Sequence, residues 1–292
     1  MKKLKIITAL FLFSAIFIGC KKNKMTTSKL NLNITGLQDL GANYKYEGWI
    51  IVNGGPVSTG TFTVDGSGNL SKTSFDVDAD QLSMASDFVL TIEPFPDVDP
   101  SPSSTHIVAG SFSGNTAAVS IADSKALGTN FASATGKYIL ATPTNGSGTN
   151  EKSGIWFLDL GSGSPMQGLQ LPVLPSGWMY EGWTVIGGQP VTSGRFTSAM
   201  GADLSAPFSS TMNPGPPFPG EDYLQNAPSG LTFPTDISGG VAVISVEPEP
   251  DNSPMPFLLK PLVGMIPTGA MDHTTYNMSL NLSTLPSGTA SR

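Results

Sequence analysis

One four-residue motif occurs twice in this chain of 292 residues, first as Tyr46-Glu47-Gly48-Trp49 and again as Tyr180-Glu181-Gly182-Trp183. At the same offset, the stretch Pro-Val-x-x-Gly-x-Phe recurs at positions 56–62 and 190–196. Further along, residues 90–94 resemble residues 244–248, which lie at a larger offset because the second copy has a Pro- and Gly-rich insertion within 212–239. Two blocks repeated in the same order predict an internal duplication.

Each copy has the pattern of β-strands. Leu30, Leu32 and Ile34 alternate with polar residues, which is the period of a half-buried strand. Asn53-Gly54 separates two apolar runs and is a hairpin signal. With 33 Gly and 24 Pro, the chain contains few uninterrupted stretches suited to a long helix. We predict strands at 44–52, 57–64, 88–93, 106–112, 117–121, 138–142, 241–247, 257–266 and 276–282.

These strands predict an all-β fold of two tandem antiparallel β-sandwich domains, immunoglobulin-like in general architecture. Comparison of the copies places apolar residues at Trp49 and Trp183, so we expect both tryptophans to face the core, on the side of Phe62 and Phe196. Ile50 and its counterpart Thr184 would then face the other way. The first sandwich would span 29–145 and the second 154–292, joined by a Gly- and Ser-rich linker at 146–153.

The amino terminus predicts the location of the protein. Three lysines precede an apolar run at 6–18, which is too short to span a bilayer but suits a signal peptide at 1–19. The run ends in Gly19-Cys20, which resembles a bacterial lipobox, and Cys20 is the single cysteine. We predict lipidation of Cys20, a tether at 20–28, and membrane attachment through that lipid. The expected location is the bacterial cell envelope, on the periplasmic or outer-membrane side.

The charge balance excludes nucleic acid as an expected partner. The full chain has a net charge of −7, and loss of a leader with three lysines and no acids would leave −10. An acidic body repels the phosphates of nucleic acids. We therefore expect a protein partner in the envelope.

The repeated motifs resemble the extracytoplasmic C-terminal domain of anti-sigma-K factors. The resemblance is carried by the Tyr-Glu-Gly-Trp and Pro-Val-x-x-Gly-x-Phe motifs, by Thr91-Ile92-Glu93-Pro94 and by residues 136–144. It covers about 28–144 and, less well, 154–284, and it implies a sensory or structural module. The family's regulators carry a cytoplasmic sigma-binding region and a membrane helix before this domain, whereas here the lipobox leads into the first repeat. We therefore expect no direct binding of a sigma factor.

Four residues are candidate ligand contacts: Glu47 and Glu181, with Trp49 and Trp183 as stacking surfaces. The alternative is that both glutamates accept hydrogen bonds within their strands. Acidic residues after two equivalent strands suit Ca²⁺ by ligand type, but their spacing does not match an EF-hand loop, so solvated turns are the preferred interpretation and we predict no metal. These residues are Glu93, Asp97 and Asp99 in the first copy, and Glu247, Glu249 and Asp251 in the second.

Enzymatic motifs are scarce in this sequence. The two histidines, His106 and His273, occupy non-equivalent places in the copies, and no Gly-x-Ser-x-Gly elbow occurs in a strand-to-helix context. We predict a non-enzymatic envelope lipoprotein without a cofactor, with a binding, sensing or structural role through protein contacts. The alternative is a carbohydrate-binding or adhesion module on the cell surface, in which exposed Trp156, Trp178 and Tyr223 would stack on sugar rings.

Overall fold

The computed structural model describes residues 26–146, 148–251 and 253–292. Strands make up 42% of the described residues and helices 5%, and the strands pair in antiparallel sheets, so the predicted all-β, sandwich-type fold is confirmed. Within the described residues, none of the helices has the length and apolar character that crossing a membrane requires. The predicted signal peptide and Cys20 lie outside the described residues.

The first part of the chain contains eight strands and a short helix, α1 (Ala79–Met84). The strands are β1 (Thr27–Thr35), β2 (Tyr44–Val52), β3 (Gly55–Phe62), β4 (Ser74–Asp78), β5 (Asp87–Pro94), β6 (His106–Ser113), β7 (Thr116–Ser120) and β8 (Thr135–Leu140). The side chain of Asp78 begins α1 by accepting hydrogen bonds from the backbone N–H groups of Asp80 and Gln81 at 3.1 and 3.0 Å.

The second part adds two 3₁₀ turns, Pro143–Asn145 and Glu151–Ser153, and twelve strands. The longest are β13, β14 and β16, which correspond to β2, β3 and β5 of the first part. The strands are β9 (Gly154–Trp156), β10 (Leu158–Asp159), β11 (Met166–Gln167), β12 (Leu169–Gln170), β13 (Trp178–Ile186), β14 (Gln189–Phe196), β15 (Gly220–Asp222), β16 (Val241–Pro248), β17 (Leu262–Met265), β18 (Tyr276–Asn277), β19 (Ser279–Leu280) and β20 (Ser287–Ser291).

The first copy forms one eight-stranded sheet in the order β3-β2-β5-β6-β7-β20-β1-β4. The second copy contains two five-stranded sheets. One has the order β14-β13-β16-β17-β19. The other has the order β12-β8-β9-β15, and its fifth strand, β18, also pairs with β8. A small two-stranded sheet joins β10 and β11. The predicted strand at 257–266 is shorter than expected, because only Leu262–Met265 pairs, and the one at 276–282 is split in two.

The two copies exchange strands. The C-terminal strand β20 lies between β1 and β7 in the sheet of the first copy. In return, β8, from the end of the first copy, pairs with β12, β9 and β18 in the second. The predicted boundaries therefore do not follow the sheets. Segment 146–153 connects the paired strands β8 and β9, and its last residue, Ser153, is buried, so this segment is a loop within one sheet and does not separate two domains.

The structure corrects the predicted orientation of the tryptophans. Ile50 is in the main core, whereas Trp49 lies in a separate small cluster with Val89, Ala109 and Ala126. Successive residues of a strand point to opposite faces, and here both faces are covered, so an apolar side chain does not identify the core side. The bulge in this hairpin lies on β3, where the extra residue Thr59 shifts the alternation, so that Phe62 pairs with Tyr46 and lies in the main core, on the face opposite Trp49.

Candidate functional site

The tryptophan of each Tyr-Glu-Gly-Trp motif begins a buried series of hydrogen bonds. In the second copy, Trp183 Nε1 donates to Ser245 Oγ at 2.8 Å, and the Ser245 hydroxyl donates to the Glu247 carboxylate. Glu247 also accepts the backbone N–H of Phe257 at 2.9 and 3.1 Å. Because Glu247 is fully buried, desolvation raises its pKa to about 7. This series of hydrogen bonds thus fixes the loop after β16 to the sheet.

The first copy repeats this arrangement. Trp49 Nε1 donates to Thr91 Oγ1 at 2.8 Å, and Thr91 donates to Glu93. Glu93 accepts the backbone N–H of Ser103 at 2.9 and 3.2 Å, and burial raises its pKa. We call these two chains the indole relays, Trp49–Thr91–Glu93 and Trp183–Ser245–Glu247.

The glutamates of the Tyr-Glu-Gly-Trp motifs accept hydrogen bonds from the neighbouring strand. Glu47 accepts from Ser58 Oγ, and Glu181 Oε1 accepts from Thr192 Oγ1 at 2.5 Å. The other oxygen of Glu181 is buried and has no hydrogen-bond partner, with Arg195 Nε 4.0 Å away. Desolvation raises the pKa of Glu181 to about 7.

The glycines of the same motifs permit close strand packing. A Cβ at Gly48 would lie 2.6 Å from Thr59 Oγ1, and one at Gly182 would lie 2.3 Å from Ser193 Oγ. Glycine at these positions thus leaves room for Thr59 and Ser193, the extra residues that form the bulge on the partner strand of each hairpin. Tyr46 and Tyr180 also make equivalent contacts, since their hydroxyls donate to the backbone carbonyls of Gln38 and Pro172 at 3.0 and 2.7 Å.

A cavity of about 530 Å³ opens where the two copies meet. Three parts of the chain line it: residues 38–44 between β1 and β2; residues 92, 94 and 103–105 at the two ends of the loop after β5; and residues 247–251, 253, 254 and 257 at the end of β16 and in the loop after it. The last two are the loops that the indole relays hold. A direct bond closes the junction, because the backbone N–H of Leu258 donates to Gln38 Oε1 at 2.7 Å. We call this cavity the inter-copy cleft.

The lining of the cleft combines acidic and apolar residues. Four carboxyl groups are among its lining residues, and no Lys, Arg or His lines it within the part of the chain that the structure describes. The acids are Asp39, Glu247, Glu249 and Asp251, and the apolar wall includes Tyr44, Ile92 and Phe257.

The four predicted ligand contacts do not line the cleft. Trp49 and Trp183 are buried, at 3% and 2% exposure, so neither indole offers a stacking face to a ligand. With Glu47 and Glu181 they support the strands and loops around the cleft. The aromatics expected to be exposed for sugar stacking are likewise buried: Trp156 and Trp178 are 4% exposed and Tyr223 is 0% exposed.

In the acidic turns, aspartate side chains accept hydrogen bonds from backbone N–H groups two residues further along the same turn. Asp97 accepts the N–H of Asp99, Asp99 accepts that of Ser101, and Asp251 accepts that of Ser253, each within 2.9 Å. Within residues 26–146, 148–251 and 253–292, no group of three metal-ligating side chains comes together.

The histidines are held in separate local contacts. His106 Nδ1 lies 2.8 Å from the carbonyl oxygen of Lys125, and His273 Nδ1 lies 3.3 Å from the carboxylate of Asp272.

Sequence reasoning missed a buried acidic cluster in the insertion of the second copy. Asp222 is fully buried and accepts from Trp156 Nε1 at 2.7 Å and from the N–H of Thr144 at 2.8 Å. Desolvation raises the pKa of Glu221 to about 8 and that of Asp203 to about 7. The surrounding sequence is a Gly- and Pro-rich loop without periodicity, so it gave no signal of burial.

Comparison with known proteins found no counterpart: no family model, no curated protein and no solved structure matches the chain. The inter-copy cleft and the relays that hold its loops are therefore the basis for a functional proposal.

Proposed function

We propose that this chain is a lipid-anchored protein of the bacterial cell envelope that binds a partner in the inter-copy cleft and does not catalyse a reaction. The observation that carries the proposal is that corresponding loops of the two copies converge on one cavity. A volume of about 530 Å³ lies within the range of ligand sites in proteins, roughly 300–1,000 Å³.

Two of the loops that line the cleft are held in place by hydrogen bonds before any partner binds. In the first copy, buried Glu93 fixes the loop after β5 by accepting the backbone N–H of Ser103. In the second copy, buried Glu247 fixes the loop after β16 by accepting the backbone N–H of Phe257. Binding to a pre-formed site avoids the entropy cost of ordering those loops. The resemblance to the anti-sigma-K C-terminal domain supports a sensing or binding module in the envelope. The carbohydrate alternative loses its main support, because its three stacking aromatics are buried.

Position-specific photo-crosslinking in intact bacteria tests the binding site. A benzoylphenylalanine at Ser253, an exposed lining residue of the cleft, should give a discrete crosslinked product. The matched control is Ser67, which is exposed on the turn between β3 and β4 and is not part of the cleft lining. Equal crosslinking at both positions, or none at Ser253, would contradict binding at the cleft.

The anchor is tested separately through Cys20→Ala. The protein should move from the membrane fraction to the soluble envelope fraction, because the variant lacks the thiol that carries the lipid. Cys20→Ala material that stays in the membrane fraction in the same amount as the parent would contradict lipid anchoring.

A further inference from the structure

We infer that the inter-copy cleft binds an organic cation, an ammonium or guanidinium group on an apolar stem, carried by a free amine or by a Lys or Arg side chain of a protein. This inference rests on the proposed function and adds the chemical class of the ligand. It follows from the charge, the apolar wall and an unsatisfied buried oxygen near the cleft.

The charges around the cleft leave a surplus of acid. Asp39, Glu249 and Asp251 line it at accessible positions, and Glu247 lines it from a buried position. Among the neighbouring cations, Arg195 contacts Glu249 through Nη2 and lies near Glu181 through Nε. Lys260, whose own pKa is lowered by burial, interacts electrostatically with Glu247. Lys45 lies over the ring of Phe95, 3.4 Å from its centroid.

An unsatisfied acceptor lies beside this acidic wall. Glu181 is 5% exposed, and its Oε2 accepts no hydrogen bond. Glu181 is not itself a lining residue, and Arg195 Nε lies 4.0 Å from this oxygen, but the Glu181 carboxyl group interacts electrostatically with the lining acids Glu247 and Asp251 and adds to the negative charge around the cleft.

The apolar lining residues suit the stem of such a ligand. Tyr44, Ile92 and Phe257 supply aromatic and aliphatic surface, and Pro94 and Pro254 extend it. An aromatic face can also attract a cation directly. An anion would meet four carboxyl groups and no basic side chain among the described lining residues, and a neutral ligand would leave the charges of Asp39 and Asp251 uncompensated.

Isothermal titration of the mature soluble chain tests the inference with matched probes. Phenethylammonium is compared with phenylacetate, its anionic counterpart, and with 2-phenylethanol, its neutral counterpart. A second arm compares the capped peptide Ala-Lys-Ala with its norleucine analogue. We expect each cation to bind at least about tenfold more tightly than its matched analogues, a difference of about 1.4 kcal/mol. Tight binding only of the free amine, or only of the peptide, identifies the source of the cation.

Substitutions of accessible acids at the rim of the cleft test the inference without removing a buried group that the fold needs. In the double variant Glu249→Gln, Asp251→Asn the affinity for the cation should fall about tenfold, because the exposed rim loses two charges and Arg195 loses its partner. Asp80→Asn, an exposed acid on α1, is the matched control and should bind as the parent does.

The outcomes separate this inference from the proposed function. Equal binding of cation and neutral probe, preference for the anion, or no binding of any probe would overturn the cation inference. The crosslinking comparison between Ser253 and Ser67 decides independently whether the cleft binds a partner.

Discussion

Trp183 Nε1 donates to Ser245 Oγ at 2.8 Å, and the corresponding pair in the first copy, Trp49 and Thr91, has the same distance. In both copies the hydroxyl donates onward to a buried glutamate. A hydroxyl at this position can accept from the indole and donate to the carboxylate at once, which an apolar side chain cannot do. The relay therefore depends on Ser or Thr at positions 245 and 91.

Ser245→Ala should destabilise the protein by about 1–3 kcal/mol, because it leaves the Trp183 N–H without an acceptor and removes a donor from Glu247. Thr91→Ser, which keeps the hydroxyl in the other relay, should cost less. Urea unfolding of both variants measures the difference. A Ser245→Ala variant as stable as the parent would show that the relay does not hold the loop.

The free energy of unfolding should decrease as the pH rises from about 5 to about 8. The pKa of Glu181, Glu247 and Asp203 is raised to about 7 and that of Glu221 to about 8, all chiefly by desolvation. In this range the folded state binds more protons than the unfolded state, so raising the pH favours unfolding. Below the unfolded pKa values these groups are protonated in both states, and their effect on the pH dependence disappears.

Glu221→Gln isolates one contribution to this pH dependence. The amide cannot ionise, so melting temperatures of the variant between pH 5 and 8 should fall less steeply than those of the parent. The difference between pH 5 and pH 8 should correspond to about 3–4 kcal/mol, because the folded carboxyl group, with a pKa of about 8, stays largely protonated over most of this range and one pKa unit represents about 1.4 kcal/mol. Asp80→Asn, an exposed substitution, should leave the parental slope unchanged, and parallel curves for Glu221→Gln and parent would contradict the burial argument.

Gly288→Ala should weaken the exchanged strand β20. A Cβ at Gly288 would lie 2.1 Å from the carbonyl oxygen of Asn33 on β1, so the strands must separate locally. The expected loss is about 1–3 kcal/mol in the free energy of unfolding. Gly269→Ala, where a Cβ meets no atom within 4 Å, is the matched control and should unfold like the parent.

The local structure could be predicted where side chains carry a pattern. The alternation in Leu30, Leu32 and Ile34 places β1, and Asn53-Gly54 forms the expected turn, with φ of +52° and +82°. The face of the tryptophans could not be predicted in the same way. Apolar residues cover both sides of β2, and the extra residue Thr59 on β3 moves Phe62 to the face opposite Trp49.

Neither the strand exchange nor the cleft corresponds to a residue pattern that could be recognised in the sequence. Strand β20 consists of small and polar residues, with only Ala290 fully buried, and it is held by backbone pairing on both sides. The cleft joins residues such as Asp39 and Asp251, which lie far apart in the chain and meet only through the packing of the two copies. The candidate residues of the repeated motif turned out to support the loops that line this site.

The most direct test of binding at the inter-copy cleft fills the cleft and repeats the crosslinking from Ser253. Ala42 is an exposed lining residue, and Ala42→Trp would place an indole in the cavity without disturbing a buried group. The exposed Ala202→Trp, outside the cleft lining, is the matched control. We expect the crosslinked product to fall to the level of Ser67 with Ala42→Trp and to persist with Ala202→Trp. Undiminished crosslinking in a folded Ala42→Trp protein would contradict the account.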